Sequence, residues 1–127
     1  MRFMIMIKAT PGSEARVRPT DSAFEEMDRY HEDMVRAGIK VLDGSGLKPS
    51  STGWRIRFDG DKSSVVDGPF TESKELIAGY ILIEATSREE ALKWTRRFPA
   101  SAMDGKRGEI EVRQLFRWDD AEHAAAV

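Results

Sequence analysis

The sequence contains no cysteine, and this one absence removes disulfides, thiolate metal sites and thiol nucleophiles together. It has no apolar run near the roughly 18 residues that a membrane-spanning helix requires. The apolar stretch at Phe3–Ile7 is short and is followed by no small-residue cleavage site, so it does not read as a signal peptide. Charge of one sign is also lacking. Lys and Arg number 20 against 22 Asp and Glu, a net −2, without the basic excess of a nucleic-acid-binding domain. Neither the G-x-x-x-x-G-K-[ST] phosphate loop nor the G-x-S-x-G nucleophile elbow occurs. These absences lead to the expectation of a cytoplasmic protein that uses no cofactor or metal and engages neither nucleic acid nor membrane.

What is present is a regular alternation of elements within 127 residues, a length that suits one domain with a buried core. Residues 1–118 read as that domain, and 119–127 as a tail without periodicity that frays. Phe3, Ile5 and Ile7 alternate with Met4 and Met6, a strand that is apolar on both faces. Pro11 to Thr20 reads as a polar loop. Ser22 with Glu25 forms a capping-box pattern, and the helix it opens ends at Gly38. Phe24, Met27, His31, Met34 and Val35 form the expected buried stripe of that helix.

Ile39 to Leu42 predicts a short strand, followed by a flexible run from Asp43 to Pro49 in which Gly44-Ser45-Gly46 makes a bend or bulge. Trp54, Ile56 and Phe58 alternate with Arg55, Arg57 and Asp59, and Asp59-Gly60-Asp61-Lys62 turns the chain into a hairpin partner at Ser64–Asp67. Gly79–Ala85 is a strand apolar on both faces. Ser87 and Glu90 cap a second helix that turns Ala91, Leu92, Trp94, Thr95 and Phe98 inward and stops at Pro99. Glu109–Trp118 is the last strand. The order predicts an α+β, ferredoxin-like fold, an antiparallel sheet with two helices on one face, of the dimeric α+β barrel type. The other face then needs a cover, and a second copy of the chain, a homodimer, supplies it.

His31 is the only histidine outside the tail, and histidine's ordinary pKa of about 6.5 suits acid–base work. Asp67 stands at a sharp Gly-Pro break where a carboxylate can reach a cleft or cap the turn, and Glu72 is a further candidate acid. His31, Asp67 and Glu72 are therefore the candidate catalytic set, with Tyr30, Phe70 and Lys74 as candidate ligand contacts. Asp28 and Glu32 flank His31, but one histidine with scattered carboxylates falls short of a metal-ligand set.

Asp67-Gly68-Pro69-Phe70, followed by Thr71-Glu72-Ser73-Lys74-Glu75 and Ile77-Ala78-Gly79-Tyr80, resembles the signature of DGPF-domain proteins, a branch of the YCII-related superfamily. Ala37-Gly38-Ile39, Gly44-Ser45-Gly46-Leu47-Lys48-Pro49-Ser50 and Gly108–Arg113 resemble the recurring blocks of the same branch, so the likeness spans about residues 1–118. Two positions depart from the pattern: His31 stands in mid-helix, and Ser45 stands where members commonly carry an acidic residue. The resemblance implies a small dimeric α+β domain, a His–Asp pair in a cleft, and a regulatory context beside extracytoplasmic-function sigma factors.

Two functions follow as expectations. The first is a dimeric module that binds a small molecule or a protein partner. The second is a cofactor-free enzyme with a His–carboxylate pair acting on a small metabolite. A contact of about 2.6–3.2 Å between His31 and Asp67, Glu72 or Glu75, opening on an apolar pocket, distinguishes the enzyme.

Overall fold

The computed structural model describes residues 1–15, 19–71, 75–100, 103 and 107–117. Among the described residues six strands and three α-helices follow one another as β1 (Arg2–Lys8), α1 (Pro11–Glu14), α2 (Asp21–Arg36), β2 (Lys40–Gly46), β3 (Trp54–Asp59), β4 (Lys62–Asp67), β5 (Ile77–Glu84), α3 (Arg88–Thr95) and β6 (Ile110–Gln114), with a 3-10 turn at Ser50–Thr52 between β2 and β3. Four strands form one antiparallel sheet in the order β2-β5-β1-β6, while β3 and β4 form a two-stranded sheet of their own. Trp118, the tail 119–127 and the candidate residues Glu72 and Lys74 lie outside the described residues.

The alternation in β1 and β5 decides what is buried. Ile5 pairs with Ile81 and Phe3 with Ile83, so all four side chains project from one face and enter the core. Tyr30 and Met34 from α2, Ile39, Ala85, and Ala91 and Trp94 from α3 complete the cluster, with Ile110 and Val112 of β6 packed against it. Burying each large aliphatic side chain contributes about 1.5–3 kcal/mol.

Helix ends follow local chemistry. α2 ends in paired bonds from Ile39 N–H to the Met34 carbonyl and from Gly38 N–H to the Val35 carbonyl, with Gly38 at φ 90°. That is a Schellman closure, sealed by burial of both Met34 and Ile39. At its start Thr20, rather than Ser22, is the cap: its hydroxyl accepts from Ala23 N–H at 3.2 Å. Ser87 caps α3 as its spacing predicts, and the Glu90 carboxylate accepts from Thr86 N–H.

The ferredoxin-like dimeric barrel expected from the sequence is corrected. The sheet is open: β2 and β6 are its edges, and the hairpin strands pair only with each other. A barrel requires the first and last strands to pair, and here β2 and β6 do not. Apolar residues on both faces of a strand say nothing about whether the edges meet. The fold is an α+β one with an open antiparallel sheet and a few short helices.

Three local expectations are also revised. The stretch 43–46 is strand, because β5 supplies its ladder through Asp43–Leu82, Gly44–Ile81, Ser45–Tyr80 and Gly46–Gly79. The supposed loop after β1 holds α1, capped by Thr10 with a reciprocal bond from Ser13. α2 is rotated from the expected setting, with Ala23, Tyr30 and Met34 buried and Phe24 and Val35 exposed. In α3, Leu92 is likewise exposed. No helix among the described residues is long and apolar enough to cross a membrane.

Candidate functional site

The rotation of α2 gives it two apolar stripes. One enters the core; the other, Phe24, Met27 and His31, faces a cavity of about 570 Å³ between α2 and the sheet. The sheet beneath it is thinned by glycine between the side chains of Ile7 and Ile81, which also line the cavity. Gly44 and Gly46 of β2 and Gly79 of β5 all line it. Gly46 is paired with Gly79, and Gly44 with the buried Ile81. Leu47, Pro49, Ser13 and Pro19 contribute to the surrounding wall, and Phe98, after α3, closes another side. Among the described lining residues there is no carboxylate, lysine or arginine.

Close approach requires glycine at 79 and leaves little room at 44. A Cβ on Gly79 would lie 2.9 Å from the Ser45 carbonyl oxygen, and one on Gly44 would lie 3.2 Å from that of Tyr80. Gly46 is different: its Cβ would meet only the Ala78 carbonyl oxygen at 3.9 Å, an ordinary contact.

His31 is half-buried, and its Nε2 is buried with no hydrogen-bond partner among the described residues. A buried nitrogen left in that state costs about 1–3 kcal/mol, which a bound hydroxyl or carbonyl group would recover. The same side chain borders a shallower surface groove of about 400 Å³ with Glu32, Val35, Arg36 and Val41. His31 therefore stands between the cavity and the outer surface of α2.

The other candidates fall elsewhere. Asp67 closes the ladder of the separate hairpin opposite Trp54 and, like Glu75, borders neither of the spaces that His31 borders. Tyr30 points into the core, donating its hydroxyl to the Trp94 carbonyl at 2.8 Å. Its pKa is pushed up to about 12 by burial, against the opposing pull of Arg97. Phe70 carries the Arg55 guanidinium over its ring at 3.9 Å. Among the described residues no group of three or more acidic or histidine side chains gathers in a metal-holding arrangement.

Ser50 is a residue that sequence reasoning passed over as a site. Its backbone N–H and hydroxyl donate to the two oxygens of Glu14 at 3.0 and 2.5 Å, and its hydroxyl accepts from Phe70 N–H at 3.1 Å. Gly68 packs so closely on the Ser50 carbonyl oxygen that any Cβ there would collide with it. The segments 44–50 and 67–70, which carry the resemblance described above, thus meet at one serine. Their position together in both motifs is the only sequence signal of that contact.

An open α+β domain with a glycine-floored cavity beneath a histidine is the class that fold and site define. The chain belongs to the YCII-related domain family, whose model matches residues 1–119. It is 34% identical over 104 residues to an uncharacterised protein of Rhizobium meliloti (strain 1021), covering 77% of this chain and 82% of that one. Among solved structures it is similar to 5-chloro-2-hydroxyhydroquinone dehydrochlorinase from Burkholderia phenoliruptrix AC1100, in complex with 2,5-dihydroxybenzoquinone. That match has 19% identity and a TM-score of 0.47, over 97% of this chain and 98% of that one.

Proposed function

We propose that the domain is a cofactor-free enzyme acting on a small, largely apolar metabolite held in the cavity beside α2, with His31 as its acid–base group. The observation that carries this reading is that His31, whose buried Nε2 has no hydrogen-bond partner among the described residues, lines an apolar cavity. An imidazole without a carboxylate partner can still take a proton from a hydroxyl, or from carbon beside a carbonyl, and return it elsewhere on the same molecule. Asp67 has no part in this version of the site, since it lies on the hairpin.

The test uses 2-tetralone in D2O, with deuterium entry beside the carbonyl followed by NMR. Wild-type protein is expected to accelerate exchange over buffer, and His31→Ala to remove the acceleration while the fold, checked by circular dichroism, is kept. Binding without accelerated exchange would overturn the enzyme reading.

That outcome would favour a second reading, a module that engages a small molecule or a protein such as an extracytoplasmic-function sigma factor. Its support is the hairpin: Trp54, Ile56, Phe58 and Val65 share one face and are 65%, 49%, 78% and 66% exposed. We also infer that two copies pair through the helix-free face of the four-stranded sheet, where Met4, Met6 and Leu82 are only half-exposed within a single chain. We further propose placement in the DGPF branch, on the strength of the Asp67-Gly68-Pro69-Phe70 motif alone.

A further inference from the structure

The β3–β4 hairpin is an arm. Its strands pair only with each other, every residue of β3 is exposed, and so is all of β4 except Val66. Register sorts the side chains. Trp54, Ile56, Phe58 and Val65 stand on one face, while Arg55, Arg57 and Lys62 stand on the other. The base of the arm is fixed. Gly68 N–H donates to the Gly53 carbonyl at 3.0 Å, Phe70 N–H donates to the Ser50 hydroxyl, and the Arg55 guanidinium lies over the Phe70 ring. A two-stranded hairpin is marginal in water on its own and needs a layer packed against it. A contiguous apolar face of two aromatic and two aliphatic side chains, held in one direction, marks an interaction surface.

We propose that this arm clasps a second copy of the chain, its apolar face lying across the helix-free sheet face of that copy, over Met4, Met6 and Leu82. This rests on the reading that two copies pair through that face, and it supplies what holds them together. Area decides the occupant. A stable interface buries about 800 Å² per partner, and three part-buried side chains fall far short of that. Trp54 and Phe58 are largely exposed, and such rings bury about 150–250 Å² each when covered. In a two-fold dimer each copy lends an arm and receives one, so every arm contact occurs twice. The reach also fits. A strand of six residues is about 20 Å long, against about 14 Å across the four strands of the sheet. Charge is compatible as well. The apolar face of the arm carries no lysine or arginine, and the sheet face is bordered by cations already paired, Lys8 with Glu111 and Lys40 with Glu84.

The chain has no cysteine, so introduced thiols are its only ones. Phe58→Cys and Met6→Cys, one of them carrying an affinity tag, are purified separately, mixed, left to exchange subunits and treated with a short bismaleimide. The mixture is expected to give a covalent dimer holding one copy of each variant, and neither variant alone to give one in comparable yield. Cross-linking of Phe58→Cys alone would set arm against arm, and cross-linking of Met6→Cys alone would set sheet directly against sheet. Either result overturns the clasp, and the second leaves the sheet face as the interface. A wild-type dimer with no cross-link in any sample overturns it as well. Sedimentation velocity gives a second readout. Phe58→Ser, altered near the exposed tip, is expected to weaken the dimer at least about tenfold. An unchanged dimer would overturn the clasp and free the hairpin for a different protein. A monomeric wild-type protein would overturn both the clasp and the pairing through the sheet face on which it rests.

Discussion

The hydroxyl of Tyr30 donates to the main-chain carbonyl of Trp94 at 2.8 Å, tying α2 to α3 inside the core. Because burial pushes this phenol's pKa up to about 12 from 10.0, the folded state holds it neutral where the unfolded chain ionises it. Its stabilising contribution is complete below pH 10 and is lost as pH rises toward 12. Tyr30→Phe is expected to cost about 1 kcal/mol at neutral pH. Urea titrations should show that deficit shrinking across the alkaline range; a deficit independent of pH would contradict the assignment.

Thr20, and not Ser22, caps α2 through its bond from Ala23 N–H. Thr20→Ala should therefore lower stability by about 1 kcal/mol, while Ser22→Ala should stay within about 0.5 kcal/mol of wild type. Thermal unfolding of the two variants side by side checks the order, and the reverse order would return the cap to Ser22.

Ser50 joins three separate segments through Glu14 and Phe70. Ser50→Ala is expected to cost about 2 kcal/mol, because it strips a partner from a carboxylate and from a part-buried amide. Hydrogen exchange at the Phe70 amide should accelerate while exchange in β1 and β5 is unaltered. Uniform acceleration would mean the serine supports the whole fold rather than these segments.

The helix-free face of the sheet carries Met4 and Met6 on β1 beside Leu82 on β5, bordered by the Lys8–Glu111 and Lys40–Glu84 ion pairs at 3.2 and 3.6 Å. Sedimentation velocity at micromolar concentration is expected to show a dimer, and Met4→Glu to convert it to a monomer with its circular dichroism retained. A monomeric wild-type protein would remove this face as an interface.

Local chemistry was legible in the sequence where the deciding residues are close together. Ser87 with Glu90, Gly38 after α2, and the turn at Gly60 between β3 and β4 all act within a few positions, and each is found where its spacing implies. The setting of α2 was not legible. Phe24 and Val35 are more apolar than Ala23 and Tyr30, yet they are exposed, Phe24 at the cavity and Val35 at the surface groove, because helix rotation is settled by the shape of the opposing sheet rather than by hydrophobicity ranked along the helix. The cavity was hidden for a related reason. Gly44-Ser45-Gly46 reads as a bend in isolation, and only its register against Gly79 turns it into a floor. His31 drew attention as the only histidine of the folded part. Asp67 lies on β4, and the sequence does not tell where the β3–β4 hairpin sits relative to α2.

The serine junction has a consequence for the order in which the molecule comes apart. A cysteine-free chain has no covalent cross-link between its loops, and here a single hydroxyl bridges α1, the turn after β2 and the segment after β4. Such a bridge opens at a small fraction of the free energy that holds the Ile5–Ile81 core. Ser13 and Pro49, which border the cavity, sit next to Glu14 and Ser50. The wall of the cavity is therefore expected to loosen before the sheet does, which hydrogen exchange at the Ser50 and Phe70 amides, set against that in β1 and β5, would register.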